Sequence, residues 1–530
     1  MPSQDGLVSI YECSDGRDFP VRWRSAEEAG STWHWDPEHN PAPVTPLDEA
    51  IWRECGSGSR RARSELGFAE GDVFVGGSSF AYFNGFNYWH ESEPDEEARA
   101  RAAEVNRRLR EQYGSAANFW LQYCMPRAIR AVQQLLASTG DEPVASLIDT
   151  FGYGFEQTFL MWGIDEDHPV RFLREELGDE AERVAVELTK GYPTATLQAA
   201  QILWELAQDA RASPPLAALF ARGTPTLEEV EAVEGGGAFA EGFRRYLDYY
   251  GWRTTDWDPS SPTLREQPEI SLQVVRRTIV EDLPEPASLV AAAADEREAA
   301  IEVLEQRFRS DAAKLSEFRA RLLTLSGYLG LKEGRAQWQL SLCGAIRHAL
   351  LARGRRLVEA GGLEAADDVF YLLPEEIEAA VAGRSGWGSV VAGRRAARLR
   401  WLGVVPPATI GGEAPAEAEK AAAPGELRGI GASRGVVTAP ARVLASFDEY
   451  ERLQPGEVLV CATTTPAWTP LFAVAGAIVA DGGGLLSHTA IAAREYGIPA
   501  VVGVRGATTT IRDGQTVTVD GSAGVVRLGG

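Results

Sequence analysis

The sequence predicts a multidomain chain, with a mostly α-helical N-terminal region followed by a small C-terminal α/β domain. Three observations predict it. At 530 residues the chain exceeds what one hydrophobic core holds, so two or three domains are expected. Ala- and Leu-rich amphipathic segments dominate from about residue 93 to 400. Beyond a Pro-, Ala-, Gly- and Glu-rich stretch, 405–426, short β-type runs separated by turn residues take over. The expected division is a helical, substrate-binding region at 1–404, a flexible linker at 405–426, and a compact α/β domain at 427–530.

The N-terminal part opens irregularly. STWHWDPEHNPAPVTPL (31–47) is dense in Pro and Trp, and its prolines forbid a continuous helix. DVFVGGSSFAYFNGFNYWHE (72–91) alternates aromatic and small residues around glycines, as short strands and turns do. EEARARAAEVNRRLREQY then places charge pairs at helical spacing, and amphipathic helices follow near 126–138, 194–211, 295–326 and 335–360. The last of these stops at Gly361-Gly362, and DDVFYLLPEEIEAAV reads as an extended piece leading into another helix. The linker, roughly twenty residues at about 3.3 Å each, reaches on the order of 60 Å when extended. After it come ARVLASF, EVLVCAT, AGAIVAD, PAVVGV, QTVTVDG and GVVRLG as strands, with SHTAIAAREYG as the clear helix among them.

Composition excludes several classes of function. A formal net charge of −24 disfavours nucleic acid and anionic membranes as partners, because phosphates need Lys/Arg patches; otherwise it serves solubility. The five cysteines are widely spaced and form no CxxC pair, which argues against a disulfide framework or a zinc site and fits a reducing compartment. MPSQDGLVSIYEC has no basic-then-apolar pattern, so no signal peptide is expected. No apolar run reaches the roughly 18 residues of a membrane helix. A cytoplasmic protein is expected.

The chemistry concentrates in AGAIVADGGGLLSHTAIAAREYGIPAVVG, which reads strand, glycine loop, helix, stop, strand. Gly482, Gly483 and Gly484 allow a sharp turn and close approach of backbone to a ligand. Ser487 caps the following helix, and Gly497 and Pro499 end it. His488 therefore stands at a helix N-terminus, where unpaired N–H groups and the helix dipole favour an anion. A neutral imidazole nitrogen is a competent nucleophile toward phosphorus, and the helix terminus is expected to hold its pKa down. Arg494, two turns on, is either a phosphate contact or a surface residue of the helix.

Taken alone, a histidine at a helix start is usually a cap or a surface residue. What turns the reading is that GGGLLSHTAIAAREYGIPAVVG resembles the phosphohistidine signature of the phosphoenolpyruvate-utilising enzyme family. TTTPAWTPLF, DGQTVTVDGSAGVV and GIGASRGVV are similar to other parts of that family's mobile domain. The resemblance implies that 427–530 is a swivelling domain and that His488 carries the phosphoryl group. It also places the Gly482–Ser487 loop beside the histidine and Thr465 close to it. The family's ATP-grasp domain and phosphoenolpyruvate barrel are not found in this sequence. By the resemblance, ATP with Mg2+ is then bound by a separate ATP-grasp partner protein.

The first 400 or so residues resemble, more patchily, the middle region of the rifampin phosphotransferase family. HWDPEHNPAPVTPL, YGWRTTDWDPSSPTLREQP and GLEAADDVFYLLPEEI carry the likeness. Phenylphosphate synthase and the condensing enzyme of prodigiosin formation are similar in arrangement. In these relatives the helical region holds an aromatic or polyketide-like acceptor. Where they read Gly-His-Arg, this chain has Gly251-Trp252-Arg253, which removes an acid/base group or reshapes a pocket toward an apolar ligand.

Arg253, Asp256 and Asp258 remain as polar candidates, with a structural ion pair as the alternative for Arg253. Trp33, Trp35, Tyr82, Phe83, Phe86, Tyr88 and Trp89 line an aromatic-binding pocket or form core. His34, His39 and His90 are general-base candidates or structural residues. Arg335 and Arg347 meet the phosphate when the mobile domain docks, or only solvate their helix. The resulting expectation is a dikinase-type phosphotransferase component delivering phosphate from His488 to a small organic acceptor. Two rivals stand beside it. One is a biosynthetic enzyme catalysing condensation, dehydration or cyclisation, with His488 as transient carrier or acid/base. The other is a non-catalytic binding subunit.

Overall fold

The computed structural model describes residues 7–69, 77–92, 96–161, 169–192, 194–412, 425–485 and 487–529. The chain forms two compact units, each gathered from three stretches. The first unit comprises Met1–Ile164, Trp257–Ser261 and Leu342–Glu419; the second comprises Asp165–Asp256, Pro262–Ser341 and Lys420–Gly530.

In the first unit, β1 (Val8–Glu12) and β2 (Asp18–Arg22) pair as an antiparallel hairpin. Four more strands, β3 (Thr32–Trp35), β4 (Gly77–Phe83), β5 (Phe86–Ser92) and β6 (Thr409–Gly411), make an antiparallel sheet in the order β4-β5-β3-β6. The β4–β5 turn is Asn84-Gly85, both at positive φ (54° and 85°), the pair that a tight two-residue hairpin requires. Because side chains alternate across a strand, Trp33, Phe83, Phe86 and Tyr88 fall on the buried face with Phe19, Trp23 and Ile410. Those four aromatic residues are core, whereas Trp35, Tyr82 and Trp89 are half-buried.

Part of the stretch assigned above to the linker is ordered. β6 lies within 405–426, Ile410 is fully buried, and the Tyr88 hydroxyl donates to the Pro407 carbonyl at 2.7 Å. Residues 413–424 lie outside the described residues. The helices of this unit pack mainly on one another. Gly56–Ser64 crosses Val144–Gln157 at a glycine contact so close that a Cβ on Gly58 would lie 2.0 Å from the Asp149 carbonyl oxygen. Residues 366–371, expected to be extended, form a 3-10 turn instead. The buried Asp368 carboxylate accepts from the N–H groups of Glu364 and Ala365, which closes the chain into a turn.

In the second unit, helices Ala195–Ala212, Pro214–Arg222, Gly236–Tyr250 and Pro268–Glu281 enclose an aromatic-rich core that includes Phe220, Phe239, Phe243 and Tyr246. The same unit holds an eight-stranded mixed sheet: β7 (Glu426–Arg428), β8 (Ile430–Ser433), β9 (Val436–Val443), β10 (Val458–Cys461), β11 (Ala477–Ala480), β12 (Ala500–Val502), β13 (Thr516–Asp520) and β14 (Val525–Leu528). Its order is β7-β14-β13-β9-β10-β11-β12-β8, with β9 to β12 mutually parallel. The parallel strands are covered on both faces, as crossover connections demand. Val458 and Val460 enter one core with Val479 and Val501, while Leu459 and Cys461 enter another with Ile478 and Ala480.

The sheet is tied to the helices of its own unit by polar contacts. Arg277 Nη2 donates to the Leu453 carbonyl at 2.9 Å, and Arg434 Nε lies 2.8 Å from Glu187 Oε1. None of the five cysteines is in a disulfide; Cys13, Cys124, Cys343 and Cys461 are buried and Cys55 is half-buried. No described helix is long and apolar enough to cross a membrane.

Candidate functional site

The carboxyl ends of parallel strands are where open α/β sheets bind ligands, since their loops converge there. Here the loops after β10, β11 and β12 are sewn together by backbone bonds. Asp481 N–H donates to Cys461 O (3.1 Å), Gly482 N–H to Ala462 O (2.9 Å) and Gly503 N–H to Gly482 O (3.1 Å). Gly483 has φ +100°, and a Cβ there would lie 2.8 Å from Ser487 Oγ, so both backbone and space require glycine. A Cβ on Gly484 would meet nothing within 4 Å, so this glycine faces open space. Ser487 is extended (φ −66°, ψ 159°), and its Oγ accepts from Ala490 N–H, starting helix His488–Glu495.

His488, the first residue of that helix, is half-buried. Its Nε2 lies 3.4 Å from Thr469 Oγ1, and its ring meets Phe472 edge-on at 6.2 Å between centroids. The Thr469 hydroxyl also reaches the Pro466 carbonyl at 2.9 Å. Its proton is directed to that carbonyl, and the longer contact to the imidazole, whose direction follows the ring's tautomer, is the weaker of the two. Thr463, Thr464, Thr465 and Thr489 are buried in the same loops; Thr464 and Thr489 hydroxyls lie 2.8 Å apart. Thr465 Oγ1 donates to the Thr255 carbonyl at 2.9 Å, which joins the β10 loop to the segment containing Arg253.

Two residues hold the glycine loop in place. Arg494 is fully buried, with Nη1 donating to Ala432 O on β8 (3.1 Å) and Nη2 to Leu485 O in the loop (2.6 Å). Burial pushes its guanidinium down to about 10. It is thus a clamp between strand and loop rather than a surface residue. Asp481, at the end of β11, accepts from the backbone N–H of Thr508 at 2.9 Å and from its hydroxyl. Burial raises its carboxyl above the ordinary value despite those bonds. Thr469 and Asp481 were not among the sequence-based candidates. An acid directly between an apolar strand and a glycine loop is the signal for Asp481. Thr469 had none, because a 3-10 turn, Pro466–Trp468, brings it round.

The substrate-region candidates divide between the units. In the second unit, Arg253 is buried, its Nε donates to Gln337, and its guanidinium sits 4.7 Å over the Tyr250 ring. The Arg265 guanidinium lies 5.1 Å over the Trp252 ring. Asp256 and Arg335 are half-buried in that unit. The first unit holds Asp258, Arg347, His34, Trp35 and His90. Asp258 accepts from Asn40 Nδ2 (2.8 Å), and Arg347 is buried, donating to Ser260 O and Asp367 Oδ1, each at 2.8 Å. His34 packs on Trp89 at 5.0 Å, Trp35 Nε1 donates to Asn40 O at 3.3 Å, and His90 Nδ1 lies 3.0 Å from Thr32 O. His39 pairs with Asp36 at 2.9 Å, which helps hold that carboxyl low against its burial. Among the described residues no group of three or more His, Cys, Asp or Glu is arranged to hold a metal ion.

Residues 453–524 match the family model described as the mobile domain of PEP-utilising enzymes, and residues 157–333 match that of the rifampicin phosphotransferase fourth domain. Over 96% of its length the chain is 28% identical to chondramide synthase of Chondromyces crocatus, covering 14% of that protein. It is 34% identical to a rifampicin phosphotransferase of a Streptomyces species over 57% of this chain and 36% of that protein. It is 29% identical to the uncharacterised phosphotransferase YvkC of Bacillus subtilis over 64% of this chain and 43% of that protein. The chain thus spans less than half the length of each. The resemblance to the PEP-utilising mobile domain and to the rifampicin phosphotransferase helical region stands on these matches.

Proposed function

We propose that this chain is a phosphotransferase component in which a ring nitrogen of His488 takes up a phosphoryl group and passes it to a hydroxyl of a small organic acceptor. The observation that carries the reading is the placement of His488: the first residue of a helix, beside a glycine loop, over the carboxyl ends of parallel strands, within the stretch matched to the mobile domain. On loading, the imidazole lone pair forms an N–P bond while the P–O bond to the donor's leaving group breaks. On delivery, a P–O bond to the acceptor forms, the N–P bond breaks, and the hydroxyl proton passes to a base. Such transfers rest on positioning and charge stabilisation, which helix-start N–H groups supply.

In this reading residues 427–530 are the swivelling domain, and the chain between β6 and β7 is its tether. The contacts of Thr465 with Thr255 and of Arg434 with Glu187 support a docked arrangement on the helical region of the same unit. Arg253, buried at that junction, is the acceptor-side candidate, and an aromatic or polyketide-like acceptor suits the aromatic residues around it. ATP with Mg2+ is met on a separate ATP-grasp protein, in the cytoplasm.

A second reading has one observation in its favour: a relative named chondramide synthase aligns with nearly the whole chain. Phosphorylation would then be transient and the net product a condensed, dehydrated or cyclised molecule. The first test is incubation with ATP labelled at the β position, with and without an ATP-grasp partner. Acid-labile label that His488→Ala abolishes is expected. No label under either condition sinks the phosphotransfer reading. With label established, a product retaining phosphate supports delivery, and a phosphate-free product supports the second reading.

A further inference from the structure

Outside both matched regions, the first unit carries a groove of about 500 Å³ among helices Gly56–Ser64, Met125–Leu136 and Val144–Gln157. That is the size of a small-molecule site. Its polar wall has an ordered construction. Glu65 Oε2 accepts from two hydroxyls, Tyr123 at 3.3 Å and Tyr153 at 2.8 Å. Each of these rings carries an arginine: the Arg127 guanidinium lies 3.5 Å over Tyr123 and that of Arg61 lies 4.7 Å over Tyr153. Tyr123 belongs to a π-helical turn, Trp120–Cys124, an irregularity frequent at functional sites, and its carbonyl accepts from Arg127 Nη1 at 3.1 Å.

Stacking fixes the guanidinium planes and leaves N–H edges for a ligand. Arg130, one helical turn beyond Arg127, lines the same groove, is exposed, and makes no hydrogen bond or ion pair among the described residues. Glu65 (3.8 Å from Arg127), Asp149 (3.0 Å from Arg61) and Glu142, which also lines the groove, offset part of the charge, and none of them forms an ion pair with Arg130 among the described residues. Leu135 and Leu147 supply apolar surface beside these groups. In a chain of net charge −24, a groove lined by three arginines, Arg61, Arg127 and Arg130, against two glutamates, Glu65 and Glu142, runs against the overall charge balance.

We propose that this groove binds a small organic anion, its carboxylate or phosphate held by the N–H edges of Arg127 and Arg130. The proposal is independent of phosphotransfer at His488. It is tested by isothermal titration of the full chain, in phosphate-free buffer, with inorganic phosphate and separately with benzoate. Saturable binding of at least one probe is expected, weakened about tenfold or more by Arg130→Gln, as loss of a charge-assisted bond implies. The tighter probe distinguishes phosphate from carboxylate. Arg130 is exposed, so its replacement leaves the fold intact, which circular dichroism checks; Arg127→Gln is the second variant. Absence of saturable binding for both probes overturns the proposal. So does binding that both variants leave unchanged, as a site at the glycine loop would give.

Discussion

His488 and His90 are both half-buried, yet one begins a helix and the other lies within a strand, and the setting decides what each ring is able to do. His90 is held across β5 and β3: its Nδ1 faces the Thr32 carbonyl at 3.0 Å and its ring packs on Trp33 at 5.4 Å. A carbonyl only accepts, so that nitrogen carries the proton and the tautomer is fixed. His488 has a weak hydroxyl contact, Nε2 to Thr469 Oγ1 at 3.4 Å, and stands at a helix end whose first N–H groups lack intrahelical partners. The antiparallel sheet uses its histidine as a cross-strand tie. The parallel sheet delivers its histidine to the point where loops converge.

The largest effect that sharpens this contrast is on labelling. His488→Ala is expected to abolish acid-labile phosphate, while His90→Ala and His34→Ala retain it; equal loss in all three would erase the distinction. Next is Gly483→Ala, which puts a side chain at φ +100° against Ser487. A cost of roughly 1–3 kcal/mol in unfolding free energy, with slower phosphorylation, is expected by denaturant titration and labelling kinetics. Arg494→Met leaves the Leu485 and Ala432 carbonyls without their donor. It is expected to cost about 1–3 kcal/mol and to slow labelling through the loosened loop.

Asp481 tests the electrostatics of the loop. Burial raises its folded pKa, so between the ordinary carboxylate value and that raised value the native state binds more protons than the unfolded state. Stability relative to Asp481→Asn should therefore fall as pH rises through that window and be greatest below it. A flat difference across those pH values would mean the carboxylate is compensated. Smallest is the stability cost of His90→Ala, about 1 kcal/mol for one cross-strand bond.

Sequence made the glycine loop, the Ser487 cap and the start of helix His488–Glu495 legible because all three are set by neighbours along the chain. The short strands and turns expected within 72–91 were legible for the same reason, and the described part forms them as β4, the Asn84-Gly85 turn and β5. What it did not convey depends on distant partners. Arg494 reads from sequence as either a phosphate contact or a surface residue, and only the fold shows Ala432 and Leu485 receiving its guanidinium. β6 sits in a stretch whose composition says linker, and it is a strand because β3 offers an open edge at Thr32–His34. The 3-10 turn at 366–371 has strand-like residues, but the Asp368 carboxylate bonds of that segment outweigh their propensity.

That none of the five cysteines is in a disulfide has a practical consequence. Cys13, Cys55, Cys124 and Cys343 belong to the first unit, and Cys461, at the end of β10, belongs to the second. Burial pushes the Cys55 thiol up to about 12 and raises that of Cys461, so neither offers thiolate to an alkylating reagent at neutral pH while folded. Alkylation followed by mass spectrometry of the unaltered chain would then time two openings separately. Modification at Cys461 dates the loss of the parallel sheet beneath His488, and modification at the other four dates the opening of the unit that carries the arginine groove.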